Sequence, residues 1–177
     1  MPPRRTLVTG GVRSGKSRFA ESLLADEQRV AYVAPGPAPD LDPEWAARIR
    51  AHQTRRPASW ETVETTDLAG FLRGADGPVL IDCLGTWLTG IVDDLGTWDV
   101  PLARWRHQFS AVTDDFLDAW THSTGPVVAV TNEVGWGLVS EYRSGRIFTD
   151  LLGWLNQAVA AASDEVVLVV AGRALRL

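Results

Sequence analysis

The sequence predicts one α/β domain with a mostly parallel sheet covered by helices on both faces. Three observations lead there. Apolar runs of strand length alternate with helix-spaced segments along the chain. The runs are near-continuous rather than alternating, as in strands buried on both sides. The 177 residues suit one domain, with no repeat, low-complexity tract or linker.

Each element follows from local pattern. Residues 6–9 (TLVT) form a short β-branched strand that stops at Gly10-Gly11. Residues 16–26 place Phe19, Ala20, Leu23 and Leu24 at the i, i+3, i+4 spacing of an amphipathic helix. Residues 30–34 (VAYVA) form a second strand. The stretch 35–43, with four prolines and one glycine, is a loop. Asp42 is a good helix cap, with Pro43 at the first helical position and a helix reaching Arg55. A short strand over 60–65 and a helix over 67–73 come next. The strand 78–83 (PVLIDC) is buried and carries Asp82 near its end. Helical stretches at 84–95 and 101–122, a strand at 127–131, a helix over 143–163 and a last strand at 165–171 complete the series.

Composition excludes several classes. The net charge of −5 argues against broad nucleic-acid binding, which needs a basic face. A single cysteine, Cys83, leaves no disulfide framework and fits a reducing compartment. No run approaches a membrane span, and the first residues lack a signal-peptide core, so a cytoplasmic protein is expected. Of 17 basic residues, 16 are arginine and one is lysine, Lys16. The general preference for arginine is a codon-composition effect. The solitary ammonium is the point of interest, because lysine and arginine are not interchangeable at a compact anion site.

Lys16 lies in Gly10-Gly11-Val12-Arg13-Ser14-Gly15-Lys16-Ser17, a full match to G-x-x-x-x-G-K-[ST] between a strand and a helix. Glycines let backbone wrap phosphates, and the loop amides and helix N-terminus face the anion. Lys16 reaches the β/γ-phosphates, and the Ser17 hydroxyl can ligate Mg²⁺. Asp82, ending its strand, is the acid that would help organise the metal. On the expected helix, Arg48, His52 and Arg55 share one face at i, i+4 and i+7. An imidazole between guanidiniums is either a solvated surface group or a nucleophile toward phosphorus, with the arginines steadying charge. His107 and His122 have no such surroundings and read as surface residues. Glu64 and Glu133 are acid candidates for metal, ribose or guanine contacts. Glu133 stands just past a strand end, where open α/β sheets bind ligands.

An ordered series of further motifs resembles the bifunctional adenosylcobinamide kinase / adenosylcobinamide-phosphate guanylyltransferases. It runs through LVTGGVRSGKS (7–17), AYVAP (31–35), AARI and His52, and W-x-T-x-E (60–64). It continues through LIDCLGTWLT (80–89), VTNEVGWG (130–137), R-x-F-x-D-x-x-G-x-x-N-Q (146–157) and LVVAG (168–172). The resemblance covers nearly the whole chain. It implies a single-domain P-loop nucleoside triphosphate hydrolase-like (RecA-like) fold, spanning residues 1–177, that assembles as a homotrimer. It implies two reactions. A γ-phosphoryl passes from ATP or GTP to the hydroxyl of adenosylcobinamide. GMP then passes from GTP, through a guanylylated histidine, to adenosylcobinamide phosphate, giving adenosylcobinamide-GDP and pyrophosphate.

The family's guanylylated histidine falls on His52. Its nucleotide contacts fall on the Gly10 to Ser17 loop, on Ala34, Pro35 and Gly36, on Gln53, Thr54, Arg55 and Arg56, and on Glu64 and Asp82. The sequence departs from the pattern at Gly85 and Gly90, where threonine and asparagine are expected, and at Trp45, where a methionine is expected. These changes remove no reacting group and bear on the corrinoid-facing surface. Two other readings fit part of the pattern: a small-molecule kinase using γ-phosphate only, and a non-catalytic nucleotide-binding module. Neither employs the Arg48/His52/Arg55 face.

Overall fold

The computed structural model describes residues 5–36 and 56–177. The helix expected from Asp42 to Arg55, with its cap, lies outside them. The described strands are β1 (Arg5–Gly10), β2 (Ala31–Ala34), β3 (Glu61–Glu64), β4 (Val79–Asp82), β5 (Val127–Val130), β6 (Glu165–Val170) and β7 (Arg173–Arg176). The helices are α1 (Lys16–Leu23), α2 (Leu68–Gly74), α3 (Leu84–Leu95), α4 (Arg106–Thr121) and α5 (Arg143–Ala161). The strands form one sheet in the order β3-β2-β4-β5-β1-β6-β7. Every pairing is parallel except β6 with β7.

Strand alternation divides the core in two. Leu7, Ile81 and Ala129 join α2, α3, α4 and α5 on one face, where Trp87, Phe116 and Trp120 fill the interior. Their neighbours Val8, Leu80 and Val128 pack with Ala20 and Leu24 of the α1 region on the other face. The central strands are thus apolar on both sides, which is why they read as continuous apolar runs.

Two departures from the sequence pattern have local causes. The helical stretch expected over 101–122 is broken into a 3₁₀ turn at Leu102–Arg104 and then α4. Trp105 drives its ring into the core at that junction and donates its indole N–H to the Val100 carbonyl at 3.1 Å. The second departure is β7. The last strand ends at Val170, and Ala171 and Gly172 both take positive φ, 49° and 75°. Two such residues joining antiparallel strands make a type I′ hairpin turn, which returns the chain along the sheet edge.

Candidate active site

The phosphate loop joins β1 to α1, and its first glycine is closely packed. A β-carbon on Gly10 would sit 2.5 Å from the Val169 carbonyl oxygen and 2.7 Å from Ser14 Oγ. Only glycine lets the loop leave β1 against β6. Gly15 has φ +94° and caps α1 without a side-chain hydrogen bond. The first-turn amides of α1 therefore face outward with no intrahelical acceptor. The Gly172 N–H donates to the Ser14 carbonyl at 2.8 Å, so the unexpected hairpin braces the loop from behind. Lys16 is buried, and its ammonium donates to the Gly11 carbonyl at 3.1 Å, across the mouth of the loop. Ser17 is the second residue of α1, at the loop's end, and is partly exposed.

Asp82 stands at the tip of β4, two strand spacings from β1, or about 10 Å. The Tyr32 hydroxyl donates to Asp82 Oδ2 at 3.0 Å. Burial, and then the Asp82 charge, push the Tyr32 phenol far above its usual range, so it remains a donor. The Arg56 guanidinium lies 3.6 Å above the Tyr32 ring centroid, a close cation–π contact. Arg56 also donates to Thr62 Oγ1 at 3.3 Å. Next to Asp82, burial and then the same carboxylate raise the Cys83 thiol, which therefore stays protonated and poorly nucleophilic.

A third group gathers beyond β5. The Thr131 N–H donates to Val8 O at 2.9 Å and the Glu133 N–H to Gly10 O at 3.1 Å. The chain thus continues alongside β1 as far as the first loop glycine. Thr9 Oγ1 donates to Glu133 Oε2 at 3.3 Å. From α5, Asn156 accepts from Thr131 Oγ1 at 2.6 Å and donates to the Asn132 carbonyl at 3.0 Å. The backbone ahead of Glu133 is therefore held from both sides.

The other expected residues are spread along the carboxyl ends of the strands. Ala34 ends β2, with Pro35 and Gly36 just after it, three strand spacings from β1, about 14 Å. Glu64 ends β3 at the sheet edge, exposed and four spacings away, about 19 Å. His52, Arg48, Gln53, Thr54 and Arg55 lie outside the described residues. His107 and His122 are exposed on or just after α4, as expected. Sequence reasoning missed Tyr32, Thr9, Asn156 and Gly172 as site residues. All four lie within motifs already noted, but their roles rest on contacts between segments distant in the chain. Among the described residues no group of three His, Cys, Asp or Glu side chains could cage a metal. Mg²⁺ needs only one or two protein ligands beside substrate phosphates, which Ser17 and Asp82 can supply.

The model of the cobinamide kinase / cobinamide phosphate guanyltransferase family matches residues 6–177. The chain belongs to this family. It is an enzyme, a transferase of cobalamin biosynthesis with the kinase and guanylyltransferase activities of that family. It is 41% identical to the bifunctional adenosylcobalamin biosynthesis protein CobU of Salmonella typhimurium, covering 97% of this chain and 98% of that one. The Escherichia coli protein of the same name is 42% identical over 97% of this chain and 98% of its own. Among solved structures, a prototypical ATPase from the type III secretion system of pathogenic bacteria aligns with TM-score 0.54 and 12% identity. It covers 93% of this chain, while the chain spans half of that one, and the likeness establishes a P-loop NTPase-like fold.

Proposed function

We propose that one nucleotide site serves both family reactions, with Lys16 common to the two and His52 reserved for the second. The observation that carries this reading is the loop itself. Lys16 is a buried ammonium that donates to a carbonyl of its own loop, 3.1 Å away. A phosphate in the cradle would offer it a stronger, charged acceptor. Ser14 Oγ, buried with no hydrogen-bond partner among the described residues, is a further donor within the loop. Ser17 and Asp82 would hold Mg²⁺, which would supply neutralisation of charge on the departing phosphates.

In the kinase half, ATP or GTP gives its γ-phosphoryl group to the hydroxyl of adenosylcobinamide. Lys16 and the loop amides steady the charge that spreads over the phosphoryl oxygens. In the second half, a neutral His52 nitrogen attacks the α-phosphorus of GTP and pyrophosphate leaves. The phosphate of adenosylcobinamide phosphate then takes GMP from the histidine. Arg55 and Arg56, with Gln53 and Thr54, contact the guanine nucleotide, as do Ala34, Pro35, Gly36 and Glu64. Arg56 is well suited, since its guanidinium is stacked beside the Asp82 hydrogen bond. The protein acts in the cytoplasm as a homotrimer, with no nucleic-acid partner. Among the described residues no helix is long and apolar enough to cross a membrane.

The test is labelling. Incubation with [α-³²P]GTP should give a protein adduct that is acid-labile and alkali-stable, and His52→Ala should abolish it. Full labelling and activity in that variant would remove His52 from the mechanism. Label carried from γ-³²P and never from α-³²P would leave a kinase alone.

A further inference from the structure

We propose that Glu133 is the general base of the phosphoryl-transfer half, held in place by Thr9; this rests on the two-reaction reading above. The two half-reactions differ in what their acceptors need. The kinase acceptor is an alcohol, whose proton must leave as its oxygen bonds to phosphorus. The guanylyl acceptor is a phosphate monoester, already an anion, and needs no base. A carboxylate serving only the first should therefore stand beside the phosphate loop but apart from the metal-organising acid.

Glu133 meets that description. Its backbone N–H is bonded to the Gly10 carbonyl, so it stands at the mouth of the loop. Strand alternation sets Val8 and Gly10 toward the α1 face and Leu7 and Thr9 toward the other. Asp82, alternating with Ile81, shares the α1 side with Tyr32, whereas Glu133 is tied to Thr9. The two carboxylates thus lie toward opposite faces of the sheet, at the same carboxyl end as the loop. Asp82 would help hold the metal beside the leaving phosphate, and Glu133 is left for the incoming hydroxyl. One carboxylate oxygen, Oε2, accepts from Thr9; the other is assigned to the acceptor hydroxyl. Asn156 holds the preceding turn, so the carboxylate is presented from a fixed backbone.

The step balances simply. The acceptor O–H proton passes to Glu133, the acceptor oxygen bonds to the γ-phosphorus, and the bond to the β-phosphate oxygen breaks. The nucleoside diphosphate leaves, and Glu133 returns its proton to water.

The test measures both halves separately. Wild-type enzyme, given ATP, Mg²⁺ and adenosylcobinamide, should form adenosylcobinamide phosphate. Glu133→Gln should lower that kcat by about 10²-fold or more. Its KM for ATP, its labelling by [α-³²P]GTP and its GMP transfer to supplied adenosylcobinamide phosphate should be unchanged. Thr9→Val should lower the kinase kcat by about tenfold, the scale of one hydrogen bond to a charged group, with the KM for ATP unchanged. Thr9→Ser should restore it. Wild-type kinase turnover in Glu133→Gln would overturn the assignment. So would an equal fall of both halves, which would make Glu133 a metal or folding residue. A wild-type enzyme that forms no phosphorylated corrinoid would remove the two-reaction reading itself, and the base with it.

Discussion

The phosphate loop and the segment just after Glu133 lie at the same end of the sheet but are built in opposite ways. In the loop, backbone packs on backbone: Gly10 against the Val169 carbonyl, and Ser14 against Gly172. Its lysine, Lys16, is buried, while Arg13 is exposed. Beyond Glu133, apolar side chains stand in solvent: Trp136 is 73% exposed, Leu138 fully so and Tyr142 69%. A phosphate has the same shape in every nucleotide, so a rigid backbone cradle can be complete in one short stretch of chain. In the neighbouring segment Val134 packs against the core, and from Trp136 onward the chain adds exposed apolar surface. The difference teaches that the nucleotide half of the site is set by local backbone geometry, while its surroundings depend on how distant segments meet.

Substitutions can break or sharpen that contrast. The largest effect belongs to Lys16. Lys16→Arg keeps the charge but not the compact ammonium, and should cost both reactions about 10²–10³-fold or more, read as kcat/KM for each. Retention of either reaction would show that the loop does not serve it. Next is Gly10→Ala. Its methyl group would press on the Val169 carbonyl and Ser14, so a loss of about 1–3 kcal/mol in denaturant unfolding is expected. An unchanged midpoint would mean that the loop and β6 are not closely packed. Smallest is Trp136→Ala, which should shift folding stability by no more than about 0.5 kcal/mol, because the ring is exposed. A loss on the scale of a buried tryptophan, about 3–5 kcal/mol, would place that ring in a packed interface.

The parts that were legible in the sequence are those whose cause is local. The loop could be read because eight consecutive residues carry its geometry. Asp82 could be read because it ends an apolar strand. α3 appears over Leu84–Leu95, where its pattern places it. β7 was not legible because its four residues are all exposed and its turn is Ala171-Gly172, without an Asn-Gly or Asp-Gly signal. The bonds of Tyr32 to Asp82 and Thr9 to Glu133 join residues 50 and 124 positions apart, and no spacing rule reaches that far. Asn156 belonged to a recognisable motif, yet its role became visible only once α5 lay beside the turn at Asn132.

The most direct test of the account is to incubate the purified protein with GTP, Mg²⁺ and adenosylcobinamide and to identify the corrinoid products by mass. The two-reaction site predicts adenosylcobinamide phosphate as an intermediate, then adenosylcobinamide-GDP with release of pyrophosphate. Corrinoid recovered unphosphorylated while GTP remains bound and intact would contradict it. So would a reaction that stops at the phosphate even when adenosylcobinamide phosphate is supplied directly.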